Sequence, residues 1–596
     1  MNKQRFPHFL QSLMIAIVLV MLASLTGGAP PKTASAEQSS FIVQATSTDL
    51  AAQLTEKYGG TVTSRLEIIN AVGALLSDQA VARLRREKGI LAVTPNGRVE
   101  ASDDDDDECE DDDDDECEDE IPTAEYRDVV GADVVWSQGV IGSGVTVAVL
   151  DTGLDKDLDA LREKVNGSSG RIVGWKDYIQ HSSLPRDLNG HGSHVAGIIA
   201  NSQKDDNNKW NGIAPGVNLV GVRVLNENGA GTYETVIQGL QWVLTKKTTY
   251  NIRVVNLSLF APVQSAYWAD PLNQAVTQVW ANGITVVAAA GNGGPNPLSI
   301  SVPGNNPYVI TVGAFTDNFT PDNWNDDYIP PFSAAGPTLD GFVKPDLVAP
   351  GAHMVSVVPG DSVLHDEYPA NRLDGDYFKL AGTSQATAVV SGIAALVISK
   401  TPSLTPNQVK MRLMASALPW VNVTTTEAVY SMWQQGAGVA NAPDAVFANI
   451  TGAANAGMDI QADLAGTTHY EGYSYYDEAT GTYRLYDPFD DWAGGYGIWN
   501  GGHGAWASGR GAWASGYGAW ASGYGAWAGG HGAWASGHGA WAGGYTTWAG
   551  GHGAWASGRG AWASSYADPI FATSFSVGNG PNAAASSATI SYFLEP

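Results

Sequence analysis

The sequence predicts an α/β protein. A parallel sheet with helices on both faces is expected over residues 121–450, after a small ferredoxin-like α+β unit and before a Gly/Trp repeat region. Three observations carry this. Short apolar, β-branched runs alternate with helical segments through 121–450, as in a buried parallel sheet layered with helices. Residues 39–101 read in the order βαββαβ. Beyond residue 490 a tryptophan recurs every seven residues in a glycine-rich background.

The chain opens with Lys3 and Arg5, an apolar run from Leu13 to Leu25 and the small-residue site Ala34-Ser35-Ala36. This is the pattern of an export signal over 1–36, leaving Glu37 first. A membrane anchor is the other reading, but a run of 13 residues is short for a span. No later segment is apolar enough to cross a membrane, so the mature chain is expected outside the cytoplasm without an anchor.

In the unit 37–101, Phe41-Ile42-Val43 is a strand. Thr48 is placed to cap a helix running to about Tyr58, with Leu50, Leu54 and Tyr58 on one face. Thr61 to Leu76 alternates and turns at Asn70 and Gly73, as two strands do. Asp78 to Lys88 is an amphipathic helix closed by Gly89, and Ile90 to Val93 is a last strand.

Residues 102–120 form an acidic linker. It holds two copies of Asp-Asp-Asp-Asp-Asp-Glu-Cys-Glu; between 103 and 120 there are 16 acidic side chains and no basic one. Such dense like charge stays solvated and builds no core. Loose calcium attraction or a clip between Cys109 and Cys117 would add to that role. These are the only two cysteines, so the globular parts do not rely on disulfides. The formal net charge is −29, of which −13 lies outside this run. That balance excludes a phosphate-tracking nucleic-acid binder, which needs clustered Lys and Arg.

Within 121–450 the strand candidates are Val145 to Leu150, Leu219 to Leu225, Val254 to Leu259, Thr285 to Ala290 and Val309 to Val312. Tyr233 to Leu244 and Pro271 to Asn282 are helical, and Gly436 to Ala442 leads into a last helix. Residues 451–490 read as a linker, 491–565 as the repeats and 566–596 as a tail. About three in seven repeat residues are glycine, each costing near 1 kcal/mol in a helix, which rejects a coiled coil. A stacked solenoid with a tryptophan ladder and a flexible low-complexity tail both remain open.

Three motifs carry chemistry. Val149-Leu150-Asp151-Thr152-Gly153 ends a strand. Asn189-Gly190-His191-Gly192-Ser193-His194 opens a small apolar segment. Gly382-Thr383-Ser384-Gln385-Ala386 opens an apolar helical one. A serine hydroxyl needs a base to take its proton, and the base needs a partner that fixes its tautomer. Ser384, at a helix N-terminus that favours developing negative charge, is the candidate nucleophile, His191 the base and Asp151 its orienting carboxylate. Asn292, in Ala288-Ala289-Ala290-Gly291-Asn292, is the candidate oxyanion donor. His194, three residues after His191, reads as structural because no third metal ligand accompanies the pair. Asp155, Asp157 and Asp159 read as solvated or cation-linked.

The order Asp, His, Ser, together with these motifs, resembles the subtilisin-like (subtilase) serine peptidases over about 121–450. Gly212-Ile213-Ala214-Pro215 and Asp346-Leu347-Val348-Ala349-Pro350-Gly351 are similar to further family landmarks. The resemblance implies a seven-stranded parallel sheet, endopeptidase activity on protein substrates through an acyl-enzyme, and no cofactor for the chemistry. It makes Asp151, His191 and Ser384 the triad and Asn292 the oxyanion residue. It makes Ser258, Leu259, Phe260 and Gly229 substrate-lining, and 37–101 an inhibitory propeptide cleaved near the acidic linker. It also implies structural calcium, for which Asp205, Asp206 and Asn207 are the candidate ligands, although an exposed polar turn accounts for the same residues.

The chain departs from the family at Gln385-Ala386-Thr387-Ala388, where Met-Ala-(Ser/Thr)-Pro is usual. It departs again at Phe260, where the family has glycine, and in the insertion Asp317 to Pro331. Two functions follow as expectations. One is a secreted, self-processing serine endopeptidase. The other is a cell-surface or wall-binding protein whose Trp repeats contact glycans and whose peptidase domain is accessory or inactive.

Overall fold

The computed structural model describes residues 38–101, 121–320, 326–420, 429–479 and 481–485. The expected export signal, acidic linker and Trp repeats lie outside the described residues.

The first unit runs β1 (Ser39–Ala45), α1 (Thr48–Lys57), β2 (Thr61–Leu66), β3 (Ala71–Leu76), α2 (Asp78–Leu84) and β4 (Ile90–Pro95). Its strands pair antiparallel in the order β2-β3-β1-β4 around a small core that includes Val43, Leu54, Val72, Leu76 and Leu84. The cap of α1 is Ser47, not Thr48. Ser47 is still extended and its hydroxyl accepts the Leu50 N–H at 3.2 Å, whereas Thr48 is already in the helix. The second helix stops at Leu84 rather than Lys88. The chain there tightens into i−3 turns, Arg86 N–H to the Arg83 carbonyl and Glu87 N–H to that of Leu84. A short strand, β5 (Arg98–Ala101), follows.

The larger unit continues with β6 (Thr146–Asp151), β7 (Ile172–Asp177), α3 (His191–Ala200), β8 (Asn218–Arg223), β9 (Ala230–Thr232) and α4 (Tyr233–Tyr250). Next come β10 (Ile252–Leu257), β11 (Leu259–Phe260), α5 (Pro271–Ala281), β12 (Thr285–Ala289), β13 (Ile310–Phe315), β14 (Leu347–Pro350) and α6 (Thr383–Lys400). Seven strands form one sheet in the order β14-β13-β12-β10-β6-β8-β7, every pair parallel. All residues of β6, β12, β13 and β14 are buried, as strands covered on both faces must be. Helices α3 and α6 pack on each other, as do α4 and α5, and both pairs contact the central strands. The edge strand β7 shows no apolar run because Gly174 and Lys176 interrupt it, and four of its six residues are partly exposed.

The chain fills one side of β6 with β7 and β8, then crosses to β10 and onward. The sheet therefore reverses its winding between β6 and β10, and clefts form at the carboxyl ends of strands at such a point. Asp151 ends β6, Ser258 follows β10 and Asn292 follows β12.

The described residues between 454 and 485 pack against the larger unit, which corrects the linker expected over 451–490 in its described part. The Ala454 N–H donates to the Asn407 carbonyl at 2.8 Å. The buried Asp463 carboxylate accepts the hydroxyls of Tyr267 (2.6 Å) and Tyr308 (2.8 Å), and Leu485 is buried. Polar anchors under polar-looking chain leave no periodic signal in sequence. Among the described residues no helix is long and apolar enough to cross a membrane.

Candidate active site

His191 is the first residue of α3, and two glycines make its position possible. Gly190 has φ +109°, and a Cβ there would stand 2.7 Å from a Val358 methyl carbon. A Cβ at Gly192 would stand 2.2 Å from the Gly153 carbonyl oxygen, so α3 meets the loop after β6 backbone to backbone. Asp151 and His191 are both fully buried, with 2.6 Å between Asp151 Oδ1 and His191 Nδ1. The Thr152 N–H also donates to Asp151 Oδ1 at 2.7 Å. Burial pushes the Asp151 carboxyl up, and His191 and this N–H offset part of that rise.

Asp187, which sequence reasoning missed, ties the two elements together. Its buried carboxylate accepts the Thr152 hydroxyl (2.9 Å) and the N–H groups of Gly190 (2.9 Å) and Ser193 (2.8 Å). Thr152 Oγ1 in turn accepts the Gly192 N–H at 2.9 Å. An acidic residue just before a helix N-terminus is the signal that would have found it.

His194 is structural, as expected. It is buried, its Nε2–H faces the carbonyls of Met354 (2.9 Å) and Phe378 (3.1 Å), and burial with His191 nearby lowers its pKa to about 3. Asp155 closes a local turn by accepting the Asp157 N–H at 2.8 Å.

Ser384 sits in the first turn of α6, which packs against α3 and the ends of β10 and β12. Its hydroxyl donates to the Ser258 carbonyl at 3.2 Å, and the Ser258 hydroxyl donates to the Ser384 carbonyl at 2.8 Å. Asn292 Oδ1 accepts the Thr383 N–H (3.1 Å) and hydroxyl (2.9 Å). A backbone N–H can only donate, so the amide is fixed with its oxygen toward Thr383. Its Nδ2, buried and with no protein partner, is thus turned the other way. Gln385 is also fully buried, and neither atom of its amide has a partner.

Three of the four substrate-lining candidates, Leu259, Phe260 and Gly229, line the chain's own β5, and Ser258 directly precedes Leu259. This strand pairs antiparallel with β11 on one side, Leu259 opposite Ala101 and Phe260 opposite Glu100. On the other side it pairs antiparallel with β9, Val99 opposite Gly231. The Ala101 N–H donates to the Gly229 carbonyl at 2.8 Å, and Val99 is fully buried. The first unit is held over the helices behind this cleft. Glu234 of α4 accepts the Thr63 hydroxyl (2.8 Å) and the Asn96 amide (3.3 Å), Gln241 accepts the Ile68 N–H (3.0 Å), and Gln44 donates to Gln274 (2.7 Å).

The calcium candidates do not fit a cation. Asp205 is buried, and its carboxylate accepts from the Arg127 guanidinium and from the Lys209 N–H at 3.0 Å. Burial is the largest influence and would raise this carboxyl, but Arg127, the Lys209 N–H and Asn207 together reverse it and the net shift is downward. Asp206 and Asn207 are exposed, and Asn207 turns its amide N–H toward Asp205 at 3.4 Å. Among the described residues no group of three or more His, Cys, Asp or Glu is gathered as a metal site.

The model of the subtilase family matches residues 142–453, the span that holds this sheet and all four site residues. The chain belongs to the subtilase family of serine peptidases. Serine protease AprX of Bacillus subtilis strain 168 is 38% identical over 318 residues, covering 52% of this chain and 67% of the relative. Subtilisin DY of Bacillus licheniformis is 35% identical over 291 residues, 48% of this chain and 89% of the relative. A thermostable alkaline protease of Halalkalibacterium halodurans is 29% identical over 406 residues, 68% of this chain and 93% of the relative. As a subtilase the chain is a serine endopeptidase, a hydrolase whose substrates are proteins.

Proposed function

We propose that this subtilase is exported as a precursor, held inactive by residues 37–101 and released by its own cut at the edge of the acidic run. Ser384 is the nucleophile. As its Oγ attacks the scissile carbonyl carbon, its proton passes to His191 Nε2, and the carbonyl oxygen takes up the electron pair. Asp151 keeps the proton on Nδ1 and stabilises the imidazolium. Asn292 Nδ2–H donates to the oxyanion. Collapse breaks the C–N bond while His191 returns the proton to the leaving amine. Water then repeats the sequence on the acyl-enzyme.

The observation that carries the reading is β5, seated as the middle strand between β9 and β11, where a peptide substrate would add a strand. Leu259, opposite Ala101, directly follows Ser258, whose carbonyl accepts the Ser384 hydroxyl. The bond cut therefore lies at or just beyond Ala101. Export rests on the apolar run Leu13 to Leu25 and the Ala34-Ser35-Ala36 site.

The test is to express Ser384→Ala beside the parent, follow casein hydrolysis and sequence the N-terminus of each product. The parent should start within the acidic run and degrade casein, and the variant should keep residues 37–101 and do neither. Identical processing with no hydrolysis by either, or a fully active parent starting at Glu37, overturns the reading.

A further inference from the structure

We propose that the Arg127 guanidinium takes the place of a structural calcium ion in the loop that follows the His191 helix. Residues 201–211 leave the end of α3 and close into a small hairpin, in which Asp205 N–H donates to the Lys209 carbonyl at 3.0 Å. Arg127 reaches into this hairpin with its whole side chain buried. One terminal nitrogen donates to the carbonyls of Lys209 (3.1 Å) and Trp210 (2.9 Å) and to Asn211 Oδ1 (2.8 Å). The other donates to Asp205 Oδ2, and Asp128 stands 3.6 Å from Nε. Two carbonyls, an amide oxygen and the Asp205 carboxylate are oxygens of the kind a hard cation seeks; Asp128, beside them, is held by Lys209 Nζ at 2.7 Å. Here a planar fork of donors collects them.

The exchange has two consequences. A divalent ion beside a buried guanidinium would meet strong like-charge repulsion in a medium that screens poorly, so the loop excludes calcium while Arg127 is present. A guanidinium also belongs to the chain and is not lost to chelation. Arg127 lies in the first stretch of the peptidase after the proposed cut. It ties that stretch to the loop closing α3, assisted by Tyr126, whose hydroxyl donates to the Asn211 carbonyl (2.6 Å), and by Asn211 itself, which donates to the Pro122 carbonyl (2.9 Å). Arg127 is a positioning residue for α3 and takes no part in the bond-making steps.

The test uses the full chain carrying Ser384→Ala, so that it does not digest itself. Tryptic cleavage after Lys204 and Lys209, inside the loop, is timed against cleavage after Lys400, at the end of α6, in EDTA and in excess calcium. With Arg127 present the ratio should agree between the two buffers. Arg127→Ala should raise it by about a hundredfold in EDTA, as expected when one partner of a buried pair is removed. Arg127→Lys keeps the charge without the fork; should Arg127→Ala fail to fold, this variant is expected to raise the ratio by about tenfold. Protection of Lys204 and Lys209 by calcium in the parent, or a ratio unchanged by both Arg127 variants, overturns the proposal.

Discussion

Ser258 and Ser384 exchange two hydrogen bonds, each hydroxyl donating to the other's backbone carbonyl. One residue follows the central strand β10 and the other opens helix α6. The pair therefore fixes the start of that helix to the wall of the cleft at Ser384, the proposed nucleophile. In the proposed mechanism, substrate strand and nucleophile are thereby referenced to the same backbone, which is what a near-attack geometry requires.

Asn292 is held by Thr383 through its oxygen alone, which leaves its N–H₂ for the reaction. Asn292→Ala should lower kcat by about 10²–10³-fold with little change in KM, a magnitude taken from subtilisin, a relative. Steady-state kinetics on a peptide anilide measure both. A loss confined to KM would mean that Asn292 binds the ground state and not the oxyanion.

Gln385 buries an amide whose two polar atoms find no protein partner, directly after Ser384, the proposed nucleophile. Each such atom costs about 1–3 kcal/mol relative to a satisfied one. Gln385→Met keeps the volume and removes both, so it should stabilise the chain, raising Tm by roughly 2–4 °C for each kcal/mol gained. Calorimetry in the Ser384→Ala background reads it; an unchanged or lower Tm means the amide is satisfied.

Two lysines share one carboxylate just ahead of β14. Lys344 Nζ lies 2.6 Å from Asp346 Oδ2 and Lys410 Nζ 3.1 Å from Asp346 Oδ1, all three fully or almost fully buried. Burial lowers Lys344 to about 7, with Asp346 opposing the shift and Lys410 reinforcing it. Between about pH 7 and the ordinary lysine value the unfolded chain binds more protons than the folded one, so stability from this site rises with pH. The slope has a ceiling of about 1.4 kcal/mol per pH unit for one proton. Urea midpoints of Ser384→Ala at pH 7, 8 and 9 should climb, and Lys344→Met should flatten the climb. An equal slope in both chains removes Lys344 as its source.

Much of this was legible in the sequence because it follows from local patterns. Continuous runs such as Thr285 to Ala290 announce strands covered on both faces. The three motifs around Asp151, His191 and Ser384 place reactive side chains at strand and helix ends. The βαββαβ order of the first unit appears in its alternation and turns. What escaped has no period to detect: β7, broken by Gly174 and Lys176; Asp187, recognisable only by the N–H groups it collects; and the packing of 454–485, carried by Asp463 and its two tyrosine partners.

The sequence by itself determined the reaction, since a serine, a histidine and an aspartate in that order on those motifs admit one chemistry within a known family. Only the tertiary structure decided what those motifs meet. It seated β5 between β9 and β11, joined Ser258 to Ser384 and put Arg127 where a cation was expected. The reason is physical. A motif is local in the chain, whereas the partners of a buried charge or an open strand edge come from segments far away in sequence. Asp205 lies 78 residues from the arginine that neutralises it, and no spacing rule connects them.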